Sequence, residues 1–196
     1  MMTDFPDALI LKLCSAPGLW EHSVNTFLLC RAALDALRVP DGPARREILL
    51  AALCHDLGKA EWPEAWFSLP RYAIAENEWV VMKAHPLVGA DLLREIWPQA
   101  PEAALETVRR HHERPGGSGY PFGIADPGWP ALLVAACDVT AAMLEDRPYR
   151  HGLGLEAALA EAARFAPEAV ARAVGEAAGK VLRFPKGGIE RAQPAG

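Results

Sequence analysis

No stretch of this chain alternates apolar and polar residues over four to eight positions, which removes half-buried strands from the possible folds. Helical patterns are plentiful instead, punctuated by proline and glycine. They predict helices over residues 4–15 with Asp4 as cap, 19–37, and 44–57, the last stopped by Gly58. A short turn follows at 63–68. A further stretch spans 76–97 and is interrupted at His85–Pro86, with His85 held extended ahead of a helix start. Helices over 101–113, 130–145, 155–164 and 167–182 complete the series. The expected fold is all-α, a single compact helical bundle over residues 1–184 with a flexible tail at 185–196.

Polar residues interrupt several of the apolar helix faces. On the third helix His55 aligns with Ile48, Ala51 and Ala52, and Asp56 with Leu49, Ala52 and Leu53. Asp138 stands on a stripe made of Ala131, Val134, Ala135, Ala141 and Ala142, and His22 aligns with Thr26, Leu29 and Ala33. A carboxylate on such a stripe must be paired, protonated or bound to a cation. Taken singly, each histidine reads more readily as a hydrogen-bonded core residue than as a metal ligand. Taken together, five of the six histidines and two aspartates fall on successive helices. The gaps from 56 to 85, 85 to 111 and 112 to 138 are all close to 26–29 residues. That spacing lets each helix of a bundle deliver ligands to one point. Imidazole and carboxylate without a thiolate motif suit iron, manganese, nickel or zinc. Cys14, Cys30, Cys54 and Cys137 form no CxxC pair and are expected as reduced, buried thiols.

Composition narrows the function classes. A net charge of −5 argues against a protein that coats nucleic acid. The longest apolar runs, 48–54 and 131–137, are too short to cross a bilayer, and Asp4 and Asp7 stand where a secretory signal needs positive charge. The chain is expected in the cytoplasm, with neither nucleic acid nor membrane as partner.

The set His22, His55–Asp56, His85–Pro86, His111–His112–Glu113 and Asp138 resembles the HD-domain metal phosphohydrolases. The longer strings HDLGK (55–59), HHERPGGSGYP (111–121) and DRPYR (146–150) are similar to the HD-GYP branch, over residues 19–171. The resemblance implies a cyclic di-GMP phosphodiesterase with two or three clustered metal ions on a helical scaffold. Carried over by position, His22, His55, Asp56 and Asp138 would hold one ion, and Asp56 would bridge to a second held by His85, His111 and His112. The loop after them would shape the substrate groove or meet a partner protein through 116–121. Gly116, Gly117 and Gly119 would allow close backbone approach there, and Tyr120–Pro121 would stiffen the exit.

Two positions depart from the family pattern. Gly18 stands where three-metal members carry a glutamate, and Glu21 is expected to face solvent, so two ions are expected, iron or manganese, with nickel or zinc as alternatives. Ala141 replaces an aspartate linked to ligand binding, which leaves nucleotide specificity open. The implied mechanism is attack at phosphorus by a metal-activated hydroxide shared between ions that Asp56 bridges. Lys59 would contact the phosphate or assist the leaving 3′-oxygen, or else cap its helix. Arg147 and Arg150 would bind phosphate or guanine, or else be solvated. Glu113 would fix a ligand histidine, and Arg114 would pair with an acid. The alternatives are hydrolysis of another cyclic dinucleotide or mononucleotide, and a non-catalytic cyclic di-GMP sensor.

Overall fold

A computed structural model describes residues 5–181. Nine α-helices lie among them: α1 Asp7–Leu13, α2 Leu19–Ala36, α3 Pro43–Cys54, α4 Glu76–Met82, α5 His85–Ile96, α6 Glu102–Arg110, α7 Trp129–Leu144, α8 Leu155–Ala163 and α9 Glu168–Val181. Three short 3-10 turns, Leu57–Glu61, Glu64–Ser68 and Arg71–Ala73, bridge α3 and α4, and a fourth, Pro115–Gly117, opens the glycine loop. There is no strand among the described residues, only an isolated bridge between Arg147 and Arg150. The expected Asp4 cap, the end of the last helix at Leu182 and the tail at 185–196 lie outside the described residues.

The continuous apolar run of α3 explains the architecture. Its residues Ile48, Leu49 and Ala52 join a core with Leu29, Leu34, Leu133 and Val174, which packs α2, α3, α7 and α9 together. Leu50, Leu53 and Cys54 join a second core with Leu9, Leu93, Leu105 and Val108, made with α1, α5 and α6. A helix apolar on every side is a central helix. Whatever follows its C-terminus emerges where the two halves of the bundle meet. His55 and Asp56 are the next two residues.

Proline sits in the first turn of α3, α5 and α7, where its missing N–H costs nothing. This corrects the expected extended state of His85, which instead begins α5. Its ring Nδ1–H donates to the Met82 carbonyl at 2.7 Å. The third helix also ends three residues early, at Cys54 rather than 57. Asp56 has φ −100° and ψ 8°, and the chain tightens into the 57–61 turn. The cause is tertiary. A Cβ on Gly58 would stand 2.1 Å from the His85 carbonyl oxygen and 2.7 Å from the Gly89 nitrogen, so backbone packs directly on backbone there. The cysteines are free, but Cys14 is exposed rather than buried. No helix of the described residues is long and apolar enough to cross a membrane.

Candidate metal centre

Five elements converge on the C-terminal end of α3. His22 comes from the first turns of α2, His55 and Asp56 follow α3, His85 begins α5, His111 and His112 follow α6, and Asp138 projects from the middle of α7. His55, His85 and His111 each donate Nδ1–H to the carbonyl three residues earlier, at 2.9, 2.7 and 2.7 Å. Those bonds fix ring orientation and aim each Nε2 at a common point. His22 does the same with a different partner, the Glu145 carboxylate, at 3.0 and 3.2 Å from its Nδ1.

Asp56 divides its two oxygens. Oδ1 lies 3.2 Å from His85 Nε2 and 3.7 Å from His111 Nε2. Oδ2 lies 3.4 Å from His55 Nε2 and 3.6 Å from His22 Nε2. Asp138 Oδ1 completes the second group, 3.0 Å from His22 Nε2 and 3.6 Å from His55 Nε2. Two sets of donor atoms result, Asp56 with His85, His111 and His112, and Asp56 with His22, His55 and Asp138. Within each set the atoms lie within 4.8 Å of one another. His112 reaches the site from a stack on the Tyr120 ring, 4.6 Å between centroids.

The donor atoms fit a cation. His55 Nε2 and Asp56 Oδ1 are fully buried and have no hydrogen-bond partner. Unpaired groups of this kind cost stability unless something positive satisfies them. Charge within the cluster is correspondingly polarised. Burial disfavours both carboxylates, yet Lys59 and His55 beside Asp56, and His22 and His55 beside Asp138, hold both well below the usual range. Burial likewise works against protonating His22 and His55. Hydrogen bonds that His22 donates to Asp138 and Glu145 outweigh it there, and the Asp56 charge with Asp138 raises His55 to about 10. Burial wins at the other three: His85 is lowered, His111 falls to about 4, and His112 lies well below its ordinary value.

Lys59 is not a solvated cap. Its Nζ lies 2.5 Å from Asp56 Oδ2 and 5.4 Å from the Trp62 ring centroid. It lines a cleft of about 270 Å³ over the cluster, together with His22, Asp56, Arg147 and Arg150. Arg147 pairs with Glu145 at 3.1 Å. Arg150 donates to the carbonyls of Ala142, Met143 and His151 and so closes the end of α7. Gly18 lines the same cleft, Glu21 is exposed, and Ala141 is buried in the core.

Three expected roles change. The Glu113 carboxylate is spent on backbone: fully buried, it accepts N–H bonds from Phe122 at 2.7 Å and Ile124 at 2.9 Å, tying down the glycine loop. Arg114 bonds the carbonyls of His111 and Glu113, both at 2.9 Å, and lies over the Phe165 ring rather than against an acid. At Gly117 and Gly119 the close approach is to the chain's own backbone. A Cβ on Gly119 would stand 2.4 Å from the Arg114 nitrogen, and neither glycine nor Gly116 or Tyr120 lines the cleft. Sequence reasoning missed Glu145. Its signal was available: it stands seven residues after Asp138, two turns along the same face.

A bundle that gathers histidines and aspartates from five segments around one shared carboxylate is the arrangement of an HD domain. The HD domain family model matches residues 19–163, and the chain belongs to that family. It is 36% identical over 135 residues to the cyclic di-GMP phosphodiesterase PA4108 of Pseudomonas aeruginosa (68% of this chain, 32% of the relative). It is 39% identical over 117 residues to the cyclic di-GMP phosphodiesterase response regulator RpfG of Xanthomonas campestris (59% and 31%). It is 30% identical over 138 residues to the 3′3′-cGAMP-specific phosphodiesterase 1 of Vibrio cholerae (69% and 31%). These relatives agree with the HD-GYP resemblance; the chain spans about a third of their length. Two solved structures share the fold: the PgpH HD domain of L. monocytogenes and Bd1817, a HDG"Y"P protein from Bdellovibrio bacteriovorus. The first has TM-score 0.66 and 14% identity, covering 89% of this chain and 96% of that one. The second has TM-score 0.65 and 20% identity, covering 80% and 51%.

Proposed function

We propose that this domain hydrolyses the phosphodiester bonds of cyclic di-GMP with two divalent transition-metal ions, iron or manganese, in the cytoplasm. The observation that carries the reading is the division of Asp56, one oxygen toward each set of donors. His22, His55, Asp56 and Asp138 would hold one ion, and Asp56, His85, His111 and His112 the other. Ions so held supply Lewis acidity toward phosphoryl oxygens and activate water for attack at phosphorus.

The chain's own groups do the rest. The Nδ1 bonds of His22, His55, His85 and His111 pre-set the ligand rings, so little reorganisation accompanies binding. Lys59 stands beside Asp56 at the cleft floor, where its ammonium can neutralise a phosphoryl oxygen or give a proton to the departing 3′-oxygen. Arg147, on the cleft wall, adds positive charge for a second phosphate. The loop at 116–121, braced by Glu113, orients His112 through Tyr120 and, with the adjoining Phe122, 58% exposed, offers a surface for a protein partner.

Specificity for 3′3′-cGAMP is the second reading, favoured by the similarity to the Vibrio cholerae relative. The test is turnover of both cyclic dinucleotides by anaerobic protein reconstituted separately with Fe²⁺, Mn²⁺ and Zn²⁺. Preferential cleavage of cyclic di-GMP is expected. Preference for cGAMP selects the second reading, and metal uptake without any hydrolysis leaves a non-catalytic sensor.

A further inference from the structure

Between the metal cluster and α4 the chain runs through three successive 3-10 turns whose extended corners are held by Pro63 and Pro70. This stiff segment carries Trp62, Trp66 and Phe67, and Trp79 joins them from α4. All four rings line the cleft above Asp56, and none packs into either apolar core. They are only half-buried, which is a costly placement for such large apolar groups unless something covers them. The row begins at the metal site, with the Trp62 ring 5.6 Å from that of His85. It runs outward to Trp66 at 6.0 Å and Phe67 at 5.7 Å from Trp62.

Charge identifies what covers them. The chain is acidic, with net charge −5, yet four cations line this cleft, Lys59, Arg71, Arg147 and Arg150, the first three held in place by Asp56, Glu76 and Glu145. The Arg71 guanidinium lies 4.3 Å above the Trp79 ring, anchored by Glu76 at 2.9 Å. Cations and half-exposed indoles in one cleft complement a ligand that is both anionic and planar.

We propose that Trp62, Trp66, Phe67 and Trp79 form the stacking wall for a purine base of the nucleotide whose phosphate sits over the metal cluster. The assignment rests on the phosphodiesterase reading for the position of the phosphate and adds the residues that recognise the base. Trp62 sets the inner end of the wall, next to His85, while Trp66 and Trp79 line it further out, with Arg71 over the Trp79 ring as a source of positive charge. The segment is pre-formed by its prolines, so stacking requires little ordering.

Calorimetry on the full chain loaded with Mn²⁺, titrated with GMP and with ribose 5-phosphate, tests this directly. The two ligands share the phosphate and sugar and differ in the base. GMP is expected to bind about tenfold more tightly or better, and Trp66→Ala and Trp79→Ala each to narrow that gap about fivefold or more. Metal content and ribose 5-phosphate affinity should hold, and Trp66→Tyr should recover most of the loss. Equal affinity for the two ligands in the unaltered protein overturns the wall. So does a parallel fall of both ligands together with metal content, which marks the tryptophans as scaffold. Selective GMP binding without hydrolysis of any cyclic dinucleotide defeats the phosphodiesterase reading and leaves the wall standing. Hydrolysis without base-selective binding does the reverse, and failure to bind either phosphate defeats both.

Discussion

Gly58→Ala should remove one metal ion and leave the other. The added methyl carbon would stand 2.1 Å from the His85 carbonyl oxygen and 2.7 Å from the Gly89 nitrogen. Both are backbone atoms of the first two turns of α5, so no side chain can swing aside. The turn has little room to retreat, because Leu57 is fully buried and Lys59 N–H is bonded to the Asp56 carbonyl at 2.8 Å. Restoring an ordinary contact requires α5 to move by roughly 1 Å or more. His85 travels with it, away from Asp56 Oδ1, now 3.2 Å from its Nε2. Metal ligation tolerates about 0.2 Å, so the set containing His85 loses its geometry. His22 and Asp138 sit on α2 and α7, His55 directly follows α3, and all three keep theirs. Overpacking of this kind costs about 1–3 kcal/mol of stability. The assay is elemental analysis after dialysis, beside urea unfolding of the same samples. About two ions per chain are expected in the unaltered protein and about one in the variant. Two ions retained at unchanged stability would refute the packing argument. Loss of both would refute the independence of the two donor sets.

Replacing Asp56 by alanine should abolish both metal uptake and hydrolysis, because each set loses a donor. His151→Ala should stay within a few-fold of the unaltered rate, since His151 is fully exposed, and similar behaviour of the two variants would contradict the cluster assignment. For Lys59→Ala, metal content should persist while the rate falls about 10²-fold, roughly 2.7 kcal/mol of barrier; an unchanged rate removes Lys59 from the chemistry. Glu113→Gln turns an amide donor toward one of two backbone N–H groups, so about 2–4 kcal/mol of stability should be lost in thermal or urea unfolding. A loss confined to metal affinity would instead make Glu113 a ligand-positioning residue.

The helical class and the candidate ligands were legible in the sequence because burial is punishing. A carboxylate amid Ala131, Val134, Ala135 and Ala141, or His55–Asp56 at the end of an apolar run, has few tolerable explanations, and proline and glycine mark most helix limits. Periodicity describes the face a residue stands on. It does not say what meets that face. The early end of α3 depends on Gly58 touching α5, a contact that no local propensity records. Glu145 reaches His22 across 123 residues, and Glu113 holds the loop rather than a histidine. The aromatic row at 62–67 has no helical or strand period, and gains meaning only where folding sets it above Asp56 in the cleft that Lys59 and Arg71 also line. Sequence alone determined which groups had to be satisfied in the interior, since desolvation is a property of the side chain and its own element. Tertiary structure decided which partner satisfies each of them, since that depends on distances between elements that only the packed bundle sets.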